Sequence, residues 1–377
     1  SERNDVRKLL TALALGALLT AGLPAAATPT TDAGPGPGYF ASDNVEWITN
    51  IPVNLDSAGA RIVGNYFYIT TSNGLTIYDI SEPEAPARLG FLPMPQQPYF
   101  AEEDVDTNGR ILLISTLGTL YVVDVEDKST PVSIGELADA DEHTYTCVLD
   151  CTYAYGSEGS IVSLKDPTAP KRVGDWTEGN DVTSTHDVTE VKPGLIMTSS
   201  QPLRYLDARK NPAKPRTIAL GQNEDGRFIH SNLWPNKGKD RMLLVGGESG
   251  GPTCDESDGA FMTWDVTKIG KTHSFSMIDE YRVKNGLPTD GDAPANLYCT
   301  HWFDTHPTYR NGGLVAMGWY EHGTRFLTVS PKGKIGEAGY FIPVGGSTSA
   351  AYWVNDHIVY AVDYNRGIDI LRFTGKP

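Results

Sequence analysis

Four histidines recur at a regular spacing along this chain. They are His143, His186, His230 and His301, separated by 43, 44 and 71 residues, and insertions in the fifth and sixth repeats lengthen the last interval. An imidazole offers a neutral nitrogen lone pair, so several that converge on one point form a site for a transition metal. Such a set suits iron or copper, with zinc as the alternative. Glu103, 40 residues before His143, could act as the catalytic base, as a ligand or as acceptor of an imidazole N–H.

Two further histidines could reach the same site. His306 follows His301 by five residues, so a regular strand would turn its side chain to the opposite face unless a bulge intervened. His322 stands in the hairpin expected for the sixth repeat, where it could reach the same end of the fold. The competing interpretation is a row of polar channel residues satisfied by water. Four histidines at the repeat spacing favour the metal site.

The spacing of the histidines follows an internal repeat. Residues 73–86 predict a tight Asn-Gly turn, a strand and a proline-containing turn. Similar segments begin at Gly118, Gly159 and Leu203, with degenerate copies at Phe261 and Gly367. A β-rich unit that recurs every 40 to 45 residues is typical of a propeller blade. The sequence therefore predicts an all-β, seven-bladed β-propeller, although six or eight blades would also fit.

The predicted topology explains why the histidines would meet. Each stands near the start of the first strand of blade 3, 4, 5 or 6, and first strands line the central channel of a propeller. The last blade lacks a fourth strand, which residues 44–53 can supply to close the ring. Small residues near Ser349 and Ser57 leave space on the other side, where a catalytic metal would keep an open position.

The first 27 residues read as a secretory signal. Arg3, Arg7 and Lys8 precede an apolar run over residues 9–23 and a small-residue cleavage site at Ala27. We therefore expect a signal peptide over 1–27, a flexible segment over 28–43 and the propeller over 44–377, with secretion and no membrane span after cleavage. The net charge of −16 disfavours nucleic acid as a partner.

Four cysteines in an exported chain predict two disulfides. Cys147 and Cys151 could bridge a tight hairpin, and Cys254 and Cys299 would then form a long-range pair. Four cysteines allow three connectivities, and the spacing alone does not choose among them. A cysteine metal site is the minor alternative.

Two family resemblances accompany these patterns. Leu120-Tyr-Val-Val-Asp124, Ile368-Asp-Ile-Leu371 and the segment 363–369 resemble the LVIVD family of secreted propellers, which implies the fold. Arg227-Phe-Ile-His-Ser231, and His186 ahead of residues 195–200, are similar to the selenium-binding protein and methanethiol oxidase family. That resemblance implies a seven-bladed propeller with an axial metal, and oxidase chemistry for His186 and His230.

These features together predict a secreted propeller that uses an axial histidine-bound metal as an oxidase or oxygenase on a small molecule. A zinc-dependent lyase or hydrolase is the second enzymatic hypothesis. The hypothesis from another class is a non-catalytic propeller that binds a cell-surface ligand. The chain carries no Gly-x-Ser-x-Gly elbow, P-loop or dinucleotide fingerprint, so the sequence gives no signature of those chemistries.

Overall fold

The computed structural model describes most of one compact unit, which spans Pro37–Pro377. The described residues are 38–95, 105–116, 118–140, 142–222, 227–248, 254, 259–283 and 299–376. The predicted signal peptide and Glu103 lie outside them. No helix among the described residues is long and apolar enough to cross a membrane.

The described residues are almost entirely strand and turn. Its first strands are β1 (Tyr39–Ala41), β2 (Val45–Ile51), β3 (Ala60–Val63), β4 (Tyr66–Thr71), β5 (Gly74–Asp79), β6 (Ala87–Pro93), β7 (Val105–Thr107), β8 (Ile111–Thr116), β9 (Thr119–Asp124), β10 (Val132–Ala138), β11 (Tyr145–Val148), β12 (Tyr153–Gly156), β13 (Ser160–Ser163) and β14 (Lys171–Asp175).

The second half continues in the same way and adds two short helical turns. Its elements are β15 (Ser184–Lys192), β16 (Leu195–Gln201), β17 (Arg204–Asp207), β18 (Arg216–Gln222), β19 (Phe228–Leu233), α1 (Pro235–Gly238), β20 (Met242–Glu248), β21 (Ala260–Asp265), α2 (Ile269–Thr272), β22 (Ser274–Tyr281), β23 (Phe303–Thr305), β24 (Gly313–Gly318), β25 (Thr324–Val329), β26 (Ile335–Pro343), β27 (Thr348–Trp353), β28 (Ile358–Asp363) and β29 (Gly367–Phe373).

These strands form consecutive antiparallel meanders in chain order. The sheets β3–β6, β7–β10 and β11–β14 each have four strands, and β15–β18 and β19–β22 join into one larger sheet. The join is a short parallel pairing of β18 with β22 at residues 220–222 and 274–276. The sheet β23–β26 gains β1 as a fifth strand. The all-β prediction is confirmed, and the arrangement is consistent with a β-propeller.

The last meander, β27–β29, is completed by β2 from the start of the unit, as the sequence predicted. Asp369 of β29 accepts hydrogen bonds from Trp47 Nε1 at 2.9 Å and Asn50 Nδ2 at 3.0 Å, both on β2. Its second oxygen pairs with the buried guanidinium of Arg366 at 2.9 Å. The β1 strand was not predicted, because residues 39–41 fall in the segment that the sequence assigned to a flexible N-terminus.

The core lies between neighbouring sheets. Strand β4 shows the principle, because successive side chains on a strand point to opposite faces. Phe67 and Ile69 pack against Tyr360 of the last sheet. Tyr68, which stands between them, packs with Leu112 of the second sheet. Each meander thus buries both of its faces against its neighbours, as repeat architectures require.

The aspartate that ends the third strand of most meanders is explained by the turn that follows it. Asp79, Asp124 and Asp265 each accept the backbone N–H of the residue two positions on, at 2.8 to 2.9 Å. This Asx turn satisfies a backbone donor as the chain leaves the strand. The repeated aspartate therefore has a structural role.

Glycines on three outer strands permit close contact between consecutive meanders. A Cβ at Gly90, Gly135 or Gly174 would collide with a carbonyl oxygen in the proline-containing turn of the next meander. Each glycine lies beside a β-bulge in its outer strand. Only glycine allows this backbone approach.

We expect Gly135→Ala to lower the free energy of unfolding by about 1–3 kcal/mol, because the added methyl group overlaps the carbonyl of Pro167. Urea denaturation measures the loss. Gly270→Ala is the matched control, since no atom lies within 4 Å of a Cβ there. Equal stability of the two variants would contradict the close-contact explanation.

Candidate metal centre

The innermost strands bring together the four histidines that the sequence singled out. His186 lies in β15 and His230 in β19, whereas His143 and His301 each stand two residues before their strands β11 and β23. Imidazole centroids are 4.8 Å apart from His143 to His186, 3.8 Å from His186 to His230 and 4.1 Å from His230 to His301. The side chains form a continuous row in the order of the sheets.

Two of these histidines are placed by β-bulges. The pairing of β15 with β16 passes from Thr185 to Asp187 and skips His186. The pairing of β19 with β20 passes from Ile229 to Ser231 and skips His230. A bulged residue leaves the regular alternation of faces, so its side chain can be aimed differently from its neighbours.

Hydrogen bonds fix the tautomer of two imidazoles. His186 Nδ1 lies 3.0 Å from the carbonyl oxygen of His230, and His301 Nδ1 lies 2.7 Å from that of Ser349. A carbonyl oxygen only accepts, so each Nδ1 must carry the proton. Each Nε2 therefore keeps its lone pair, which is the state in which histidine binds a metal.

A carboxylate that the sequence analysis missed joins this row. Glu248 ends β20, and one donor atom each from His186, His230 and Glu248 lie within 4.8 Å of one another. Glu248 Oε2 is 4.0 Å from His230 Nε2, and Tyr320 donates a hydrogen bond to Glu248 Oε1 at 2.8 Å. The hairpin is the sequence feature that could have identified Glu248, because Glu248 pairs with Phe228, which stands two residues before His230.

Burial differs along the row. His230 and His301 are fully buried, and His186 is only 8 % exposed. His143, Glu248 and Tyr320 are half-buried. The donors are therefore screened from water on one side and accessible on the other, which is how a site that accepts a small ligand must be built.

Aromatic rings border the centre. Phe228 meets His186 edge-on at 5.7 Å, Trp302 lies 5.0 Å from His230, and Tyr320 lies 4.9 Å from His301. Tyr364 stacks on Tyr320, with the rings 10° from parallel. These contacts limit the freedom of the imidazoles to rotate.

His306 and His322 are not part of the donor group formed by His186, His230 and Glu248. His306 bonds through Nδ1 to the Thr308 hydroxyl at 2.7 Å and through Nε2 to the carbonyl of Asp356 at 3.0 Å. Both of its ring nitrogens are thus engaged in the fold. His322 is buried in the hairpin that carries Tyr320, and its carbonyl accepts a hydrogen bond from Arg325.

The cysteine prediction is confirmed. Cys147 bonds to Cys151, and Cys254 bonds to Cys299. Cys299 stands two residues before His301, and the intervening Thr300 donates its hydroxyl to the carbonyl of Gly247 at 2.9 Å. The long-range disulfide and this hydrogen bond anchor the chain segment that carries His301.

Comparisons with known proteins identify the fold. The LVIVD repeat model matches residues 57–90, and no curated protein matches the chain. A structure of U3-55K is 9 % identical with a TM-score of 0.59, covering 90 % of this chain and 100 % of that one. The N-terminal domain of Nup159 is 11 % identical with a TM-score of 0.54, covering 88 % and 95 %. A chain of the mitotic checkpoint complex is 11 % identical with a TM-score of 0.55, covering 93 % and 99 %.

These likenesses support a repeat β-propeller and, at such low identity, show the fold alone. The similarity to the selenium-binding protein and methanethiol oxidase family is not shown by them and stays a prediction.

His322 gives the protein a pH dependence that can be measured. Burial, reinforced by the charge of Arg325, lowers the pKa of His322 from 6.5 to about 4. Between pH 4 and pH 6.5 the unfolded chain binds more protons at His322 than the folded chain does. The contribution of His322 to the free energy of unfolding is therefore complete above pH 6.5 and is lost as the pH falls towards 4. A shift of this size corresponds to about 3 kcal/mol.

We therefore expect the free energy of unfolding to fall less between pH 7.5 and pH 4 in His322→Gln than in the unmodified protein. Burial raises the pKa values of Asp304 and Asp363 to about 6, so their protonation increases the free energy of unfolding as the pH falls. Both carboxyl groups are present in each protein, so their effect cancels when the two pH profiles are compared. His357→Gln, at an exposed position, is the control. Parallel pH profiles for His322→Gln and the unmodified protein would contradict the assignment.

Proposed function

We propose that His186, His230 and Glu248 bind one transition-metal ion, with His301 as a neighbouring fourth donor, and that the chain acts as a metal-dependent oxidase or oxygenase on a small molecule. The proposal includes a propeller of seven blades, counted from the meanders together with the closing strand β2. It also includes secretion, which the signal-like N-terminus and the two disulfides favour.

The donor set is the observation that carries this proposal. Two imidazoles and one carboxylate with open positions match the facial triad of non-haem iron oxygenases. Their donor atoms lie within 4.8 Å of one another. The three donors of a facial triad are adjacent on the ion and lie about 3.0 Å apart, since each bond is about 2.1 Å. Binding would therefore draw the most separated donors together by up to about 1.8 Å.

The protein's own groups would prepare the site for this chemistry. The carbonyls of His230 and Ser349 hold two imidazoles in the tautomer that presents Nε2, and Tyr320 orients Glu248. The buried side of the row keeps water away from the donors. When bound, the ion would supply redox chemistry or polarise a bond of the substrate.

The same donor set supports a second candidate. Two histidines and one glutamate with an open position also bind zinc in hydrolytic enzymes. A zinc-dependent lyase or hydrolase is therefore the alternative, and the identity of the bound metal separates it from the oxidase.

Elemental analysis of untagged mature protein tests the proposal. We expect about one metal ion per chain, lost in His186→Ala/His230→Ala and in Glu248→Ala, because each change removes a donor from the group. His273→Ala/His357→Ala, at exposed positions, is the matched control and should keep the metal. Chelation should lower the melting temperature, because an ion at 100 times its Kd stabilises the fold by about 2.7 kcal/mol.

The metal found decides between the candidates. Iron or copper favours the oxidase or oxygenase, and zinc favours the lyase or hydrolase. Absence of metal from the isolated protein, together with failure to bind iron, copper or zinc on reconstitution, would contradict both and leave a propeller that binds a surface ligand.

A further inference from the structure

We propose that Tyr320 is a positioning residue that makes Glu248 bind the metal through Oε2 alone, so that the adjacent coordination position stays open for a small ligand. This inference rests on the proposed metal site and adds to it a residue, a binding mode and a ligand class. The ligand class is a small anion or diatomic molecule that coordinates through one atom.

The two oxygens of Glu248 have different partners. Oε1 accepts the hydrogen bond from the Tyr320 hydroxyl at 2.8 Å, whereas Oε2 lies 4.0 Å from His230 Nε2. A hydrogen bond to a carboxylate is among the stronger ones in proteins, and it fixes the plane of the group. The oxygen bonded to the phenol is thereby held towards Tyr320, and the other is on the side of His230.

Tyr320 itself is held from several sides. Its backbone N–H and carbonyl exchange hydrogen bonds with Thr348 of the last sheet, both at 2.8 Å. Its ring contacts those of His301 and Tyr364, which also lie 6.2 Å from each other. Tyr320 therefore links Glu248, through its phenol, to Thr348, through its backbone.

The backbone of Tyr320 also adopts an uncommon conformation. Its φ is +41°, in the left-handed region that bulky side chains rarely adopt. Such a conformation persists only where the surrounding structure enforces it, and it is enriched at functional sites. The paired contacts with Thr348 enforce it here, and the result is that the hydroxyl reaches Glu248.

The choice of one carboxylate oxygen has a consequence for the ion. A carboxylate bound through both oxygens occupies two positions, and one bound through a single oxygen occupies one. Loss of the phenol would release Oε1 to compete with an incoming ligand. Loss of an outer hydrogen bond of this kind also weakens metal binding, by about 10- to 100-fold.

The test uses the full protein loaded with Co²⁺, whose visible spectrum reports coordination, and azide as the small ligand. Tyr320→Phe keeps the ring and removes the hydroxyl. We expect the Kd for Co²⁺ to rise about tenfold and azide binding to weaken by a similar factor, with a cobalt spectrum of higher coordination number before azide is added.

The chain provides a closely matched control. Tyr281 donates the same type of hydrogen bond to Glu337, at 2.6 Å, in a pair that is not part of the histidine row. Tyr281→Phe should leave the cobalt and azide affinities unchanged. A purely structural effect of losing such a hydrogen bond would instead lower the melting temperatures of both variants equally.

The possible failures are distinguishable. If the unmodified protein binds Co²⁺ and Tyr320→Phe retains its cobalt affinity, azide affinity and spectrum, the role of Tyr320 is wrong and the metal site stands. If the unmodified protein binds no Co²⁺, the metal site and the role of Tyr320 are both overturned. Changes of equal size in Tyr281→Phe would also overturn the role assigned to Tyr320.

Discussion

A β-bulge on the innermost strand is the feature on which the centre depends. The pairing skips one residue in β15, β19 and β27, namely His186, His230 and Ser349. A bulged residue lies outside the regular ladder, and its buried carbonyl still needs a donor. The preceding sheet supplies that donor. The imidazole of His186 bonds to the carbonyl of His230, and the carbonyl of Ser349 accepts from both the imidazole of His301 and the backbone N–H of Trp302. One local irregularity thus aims a side chain, satisfies a backbone group and joins two sheets.

The same position can serve structure or chemistry, according to the residue that occupies it. Ser349 in the last sheet accepts from His301 and uses its own hydroxyl only for weak bonds to backbone carbonyls, including that of Ser57 at 3.4 Å. Ser231 likewise donates to the carbonyl of His301 at 2.9 Å. A hydroxyl completes the link between sheets but leaves nothing that would bind a transition metal strongly. An imidazole completes the same link through Nδ1 and still presents Nε2, so histidine adds a metal donor without loss of the structural bond.

The repeat period was sufficient to predict the strands of the meanders, the closure by residues 44–53 and the convergence of the histidines, although it did not predict β1. Register and bulges are set by tertiary contacts, and a shift of one residue reverses the facing of a side chain. Glu248 was missed for this reason, since it lies on the second strand and reaches the row only through its pairing near the His230 bulge. His306 shows what happens where no bulge redirects a side chain. Strand β23 pairs without a bulge, and His306 bonds instead to Thr308 and Asp356.

The residues that define the repeat are different from those that form the centre. The repeated aspartates cap turns, and glycines such as Gly135 allow contact between meanders. The LVIVD match spans residues 57–90 and contains none of the histidines, nor Glu248 or Tyr320. Those residues stand at bulges, just before strands, at a strand end and at a hairpin with positive φ. Because a repeat preserves what stacking requires, similarity to it identifies a propeller. The chemistry of this propeller must be inferred from the positions at which its blades differ.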